Sequence, residues 1–125
     1  MGKRLTAPSE ASNNGIKLAR AQDRPFRLSF SEYLDNGFEI KDMSRNHLTE
    51  FHKFLSDTVY KELTISQVDQ LFLRKRGMSA VPLKRGEEEL IHYGKDRNPF
   101  RLFGYYNQDG YFVICRIDGN HRTNE

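Results

Sequence analysis

Cysteine occurs once in the chain, at Cys115, and tryptophan not at all. A single thiol cannot form an internal disulfide or supply a zinc site built from several cysteines. No apolar run approaches the roughly 18 residues that cross a bilayer, so no transmembrane helix is expected. The first residues lack a cationic stretch followed by an apolar one, so no secretory signal is expected either. These absences point to a reducing, cytoplasmic setting with no membrane partner. Also missing are the phosphate loop, the GxGxxG dinucleotide fingerprint, the HExxH zinc motif and any context for a Ser-His-Asp triad. Asp118-x-x-His121 offers half a metal site, and two ligands are too few to hold an ion. No metal or other cofactor is therefore expected.

What remains is a 125-residue chain, enough for one domain. Hydrophobic residues make up only 37% of it, but nine Phe and six Tyr supply the large apolar area that a core needs. Residues 1–24 carry Lys3, Arg4, Lys17, Arg20 and Arg24 against Glu10 and Asp23, which accounts for the whole net charge of +3. Rich in Ser, Asn, Ala and Gly, they read as a flexible tail ahead of a single domain over residues 25–125. Within that domain the acids dominate up to Leu71 and the bases after it. A uniformly basic nucleic-acid-binding domain is excluded, whereas a basic face on the C-terminal half is compatible with the sequence.

Phe26, Leu28 and Phe30 alternate with polar residues, the period of a half-buried strand. Asp35-Asn36-Gly37 signals a turn, with Phe38–Ile40 as a short return strand. A helix is expected from about Ser44 to Asn46 onward, with Leu48, Phe51 and Leu55 on its apolar face and Phe54 beside them. Thr64-Ile65-Ser66-Gln67 has the form of a capping box. The helix it opens places Ile65, Val68, Leu71 and Phe72 on one stripe and ends in Arg74-Lys75-Arg76 before Gly77. Leu90–Tyr93, Phe100–Tyr106 and Tyr111–Ile117 read as strands, the last two joined as a hairpin by Asn107–Gly110. The fold class expected is α+β: an N-terminal strand, two helices packed on one face of the sheet, then a three-stranded antiparallel run.

Arg101 is the one charge inside an aromatic strand, and His121 follows the last strand next to Arg122. A guanidinium held on a sheet can grip a phosphate through two parallel hydrogen bonds. A histidine can move a proton near neutral pH. Glu87-Glu88-Glu89 is a solvated run or the source of a general base.

Pro82-Leu83-Lys84, Leu90–Tyr93, Arg101-Leu102 in an aromatic strand and Gly119-x-His121 together resemble the RelE/ParE toxin superfamily. The likeness is nearest to its YoeB-like endonucleases, which cut mRNA on the ribosome. The run from Phe112-Val113 to Asp118-x-x-His121 is also similar to uncharacterised RelE-like proteins of bacterial mobile elements. The resemblance spans residues 26–122, with its specific matches from Pro82 to Arg122. It implies a RelE-like fold and a metal-independent RNA endonuclease. In that reading the ribose 2′-OH attacks the adjacent phosphate, with Arg101, His121 and Arg122 as catalytic residues. It implies RNA contacts by Lys84, Arg85, Lys95 and Arg97, and the ribosome and a cognate antitoxin protein as partners. Where YoeB-like members carry a Glu base, this chain has Met78-Ser79-Ala80-Val81, and it ends in Thr123-Asn124-Glu125 rather than in Tyr. Two alternatives share the fold: a non-catalytic module that binds nucleic acid or protein, and a ParE-like toxin that inhibits a protein target such as gyrase.

Overall fold

The computed structural model describes residues 23–75 and 82–120. Most of the expected tail, the predicted helix end at Arg76-Gly77, and His121 with Arg122 lie outside these residues. The chain is α+β. Its elements are β1 (Leu28–Ser29), a 3-10 turn (Ile40–Asp42), α1 (Arg45–Asp57), α2 (Ile65–Phe72), β2 (Leu73–Arg74), β3 (Lys84–Arg85), β4 (Glu88–Glu89), β5 (Ile91–Gly94), β6 (Arg101–Tyr106) and β7 (Phe112–Asp118). Five strands form a sheet in the order β1-β7-β6-β5-β2, and β3 and β4 make a separate two-stranded hairpin. The pairings of β5 with β6 and of β6 with β7 are antiparallel, as expected, whereas β1 lies parallel to β7.

Both helices start at the expected places. The Ser44 hydroxyl caps α1 by accepting from the His47 N–H, and Thr64 caps α2 by accepting from the Gln67 N–H at 3.2 Å. The Gln67 side-chain oxygen in turn accepts from the Thr64 N–H, so two otherwise unpaired helix donors are satisfied. The helices pack on one face of the sheet. Phe54, Ile65, Val68 and Phe72 meet Tyr93, Leu102, Phe112, Ile114 and Ile117 there. Phe26 lies edge-on to Phe54 and Tyr93 within the same cluster, a favoured arrangement for aromatic rings.

Four expectations fail here. Leu71 is exposed at 62%, because α2 turns Ile65, Val68 and Phe72 to the core and leaves Leu71 off that stripe. Leu48 is likewise exposed, and Phe54 is the fully buried residue of α1. The second helix does not run on to Arg74-Lys75-Arg76. It stops at Phe72, and Leu73 and Arg74 pair as a strand with Tyr93 and His92, since the open edge of β5 offers backbone partners. Nor do residues 38–40 return as a strand against β1. The segment instead follows β7: Phe112 N–H donates to Arg27 O, Asp35 N–H to Cys115 O and Ile117 N–H to Phe38 O. Replacing Thr64 by Ala should cost about 0.5–2 kcal/mol through the lost cap, and Leu71→Ala should stay within about 0.5 kcal/mol. Denaturant melts that rank the two the other way would contradict this placement of α2.

The opposite face of the sheet carries Phe103, Cys115 and Leu90, covered by Leu83 and Tyr105. The hairpin of β3 and β4 joins this layer. Its Lys-Arg-Gly-Glu-Glu-Glu sequence has no apolar alternation, which is why it does not read as strands. Gly86, at φ 61°, opens its tight turn.

Candidate nucleic-acid interface

Arg101 begins β6 opposite Asp118 of β7, and both are buried. Its side chain folds back over Gly94, where a Cβ would lie 2.6 Å from Arg101 Nη1 and 2.7 Å from Cδ. Nη1 then donates to the carbonyls of Lys95 at 3.2 Å, Phe100 at 2.9 Å and Asn98. All three acceptors belong to the β5–β6 connection. The expected planar fork facing solvent is therefore not what this residue forms. With 4% of its surface exposed, Arg101 fills the loop from inside and ties its carbonyls together.

Other groups fix the same loop against α1. The Asn98 amide donates to Glu50 Oε1 at 2.9 Å, and its carbonyl oxygen accepts from the Phe100 N–H at 2.9 Å. Phe100 stacks on Phe51. The Asn98 hydrogen bond holds the Glu50 carboxyl below the usual carboxylate range. Lys95 reaches Asp57 at 3.1 Å, so this predicted RNA contact is paired, while Arg97 is exposed.

The first turn of α1 also meets the end of β7. The His47 ring lies over Gly119, where an added Cβ would be 2.3 Å from the ring. One ring nitrogen, Nδ1, accepts from the Ser44 N–H, and the other lies 2.9 Å from Asn120 Oδ1. With Nδ1 accepting, the proton sits on Nε2 and is donated to Asn120. His47, Glu50, Asn98 and Asn120 are the members of this sheet end that sequence reasoning missed. A Ser-x-x-His spacing was the available sign for His47, but a capping box is ordinarily sought as Ser-x-x-Glu or Gln. Asn120 immediately precedes His121, which lies with Arg122 outside the described residues.

Arg101, Lys95 and Arg97 thus share one end of the sheet, and Arg85 stands apart from them. It donates to Glu32 at 2.9 Å, to Tyr33 O at 3.1 Å, to Asp35 at 2.8 Å and to Cys115 O at 3.2 Å. Arg116 donates to the second oxygen of Asp35 at 2.9 Å and lies over the Phe38 ring, and Tyr105 donates to Glu32. These contacts pin the hairpin and residues 32–38 to the sheet, and they engage Arg85, expected as an RNA contact, with acidic side chains and carbonyls of the same chain. Lys84, also on β3, is exposed opposite Glu89. Glu87, Glu88 and Glu89 are exposed on this hairpin.

Cys115 is fully buried, and burial pushes its thiol up to about 11. Native protein at pH 8 should therefore resist a thiol reagent such as iodoacetamide and react only on unfolding. Rapid labelling of the native state would contradict the covering of this face. The raised thiol contributes stability below the unfolded value of about 8.5, and that contribution is lost as pH rises towards the folded one.

Among the described residues no group of three or more His, Cys, Asp or Glu is placed to hold a metal ion, and no helix is long and apolar enough to cross a membrane. Comparison of the chain with protein-family models, with curated proteins and with solved structures finds no match.

Proposed function

We propose that the chain is a non-catalytic RNA-binding module on a RelE-like scaffold, acting in the cytoplasm. The observation that carries this reading is the commitment of Arg101. A guanidinium buried among three carbonyls of its own loop is a structural clamp, and it leaves no exposed fork for a scissile phosphate. The loop that it clamps carries Arg97, exposed, at the basic half of the chain. A cation on a rigid loop binds phosphate through charge, without chemistry.

A second reading, the ribosome-dependent mRNA endonuclease with an antitoxin partner, is favoured by one specific feature. The end of β7 is fixed by the His47–Asn120 contact, immediately before His121 and Arg122. Incubation of the full chain with labelled single-stranded RNA, and separately with translating ribosomes, distinguishes the two. Retarded but intact RNA, with intact mRNA on ribosomes, is expected from the binding module. Cleavage that leaves a 2′,3′-cyclic phosphate and persists in EDTA would replace it with the endonuclease. Absence of any RNA binding would reject both.

A further inference from the structure

The hairpin of β3 and β4 stands outside the main sheet. It pairs only Lys84 with Glu89 and Arg85 with Glu88, and the Leu90 N–H closes it by donating to Leu83 O at 2.7 Å. Two strands this short do not hold together in water unaided. Between the two leucines every residue except Arg85 is exposed. The hairpin therefore keeps its place through its contacts with the body.

Those contacts are of two kinds. Leu83 and Leu90 pack on Phe103 and Cys115. Arg85 supplies the polar hold: its acceptors Glu32 Oε1, Tyr33 O, Asp35 Oδ1 and Cys115 O all lie outside the hairpin. One guanidinium thus spans from the hairpin to residues 32–35 and to β7. Water reaches these ion pairs, since the side chains of Arg85, Glu32 and Asp35 keep 27%, 39% and 29% of their surface exposed. Pairs so placed hold weakly. The layer beneath is of another kind, with β6 and β7 paired along their length. An element with few buried apolar contacts and a solvent-accessible tether opens locally, below the free energy of global unfolding.

We infer that the hairpin is a flap, fastened by Arg85, that opens as a unit and uncovers Phe103 and Cys115 while the five-stranded sheet stays formed. The flap is a property of the fold and is independent of the RNA-binding reading. Cys115 reports on it directly, being the only thiol in the chain. Labelling of the full chain by iodoacetamide at pH 8 is followed by mass spectrometry in wild type, Arg85→Gln and Lys84→Gln. It is repeated at several urea concentrations below the unfolding transition that circular dichroism records for each protein. Lys84→Gln removes an exposed cation from the same strand.

Wild type should label slowly. Arg85→Gln should label roughly ten- to a hundred-fold faster, the range for losing a hydrogen bond to a charged group. Its rate should change less than about two-fold with urea, because a small opening exposes little surface. Lys84→Gln should behave as wild type. A wild-type rate in Arg85→Gln would overturn the inference. So would an acceleration that climbs with urea as steeply as global unfolding, since the whole sheet would then be opening. Equal acceleration in Lys84→Gln would overturn Arg85 as the fastening. If Arg85→Gln does not fold, native-state hydrogen exchange of wild type decides. The Leu90 amide should exchange at least about ten-fold faster than the amides joining β6 to β7, with little dependence on urea. Equal rates and equal urea slopes would overturn the flap.

Discussion

Arg101→Ala is expected to destabilise the fold by roughly 3–5 kcal/mol, read as a shift of the urea midpoint. Hydrogen bonds to charged groups contribute about 1.5–3 kcal/mol each when measured by deletion, and here one nitrogen serves three carbonyls. Removing it takes the side-chain donor away from the Asn98 and Phe100 carbonyls of the β5–β6 connection, while Lys95 O keeps the Asn98 N–H. The lysine variant separates the structural role from a phosphate-binding one. The donors to the loop come from a single nitrogen, Nη1, and an ammonium also presents several donors from one point. Arg101→Lys should therefore lose less stability than Arg101→Ala, by at least about 1 kcal/mol. A phosphate fork predicts the reverse emphasis: both variants stable and both inactive. Full stability in Arg101→Ala would show that the clamp is not needed and would return Arg101 to the list of ligand contacts.

Gly104→Ala is expected to cost about 3 kcal/mol or more. An added Cβ would lie 2.1 Å from the carbonyl oxygen of Val113 and 2.9 Å from the Phe112 ring. The first obstacle is backbone of the neighbouring strand, which cannot rotate away as a side chain can. Gly104 also sits where the pairing slips. Phe103 faces Arg116 and Gly104 faces Ile114, so Cys115 is the extra residue of a bulge on β7. A methyl group at this point must push β6 and β7 apart at the centre of the sheet. A melt within about 1 kcal/mol of wild type would mean that the bulge relaxes more easily than this geometry allows.

The sequence was most legible where one rule acted alone. Thr64 and Gln67 satisfy helix donors whatever packs nearby, so the start of α2 could be placed without knowing the fold. The β6–β7 hairpin was equally plain, because its strands are aromatic and β-branched and its turn is Asn-Gln-Asp-Gly. Failures came where two patterns coexist. In α1, Leu48-Phe51-Leu55 and Phe51-Phe54-Thr58 have the same spacing, and only the sheet determines that Phe54 faces inward. Arg101 failed for another reason. Alternation places a residue on a strand but does not say where a long side chain ends, and this one ends in its own loop rather than in solvent. Nor could sequence show that residues 35–38 pair with β7, since the partner lies far along the chain. The Arg85 site was hidden for the same reason: its acceptors come from residues 32–35 and from the Cys115 carbonyl.

The parallel contact of β1 with β7 has a consequence for how the protein assembles. Leu28 and Ser29 pair with Phe112 and Val113, and Arg24 donates to the Asp109 carbonyl across a sequence separation of 85. Contacts of this range close large loops, and they slow folding. During synthesis β1 emerges well before its hydrogen-bonding partner β7, which lies far along the chain. Phe26 and Leu28 must wait with their apolar surface uncovered until β7 follows, so the nascent chain is most prone to aggregate before that strand arrives.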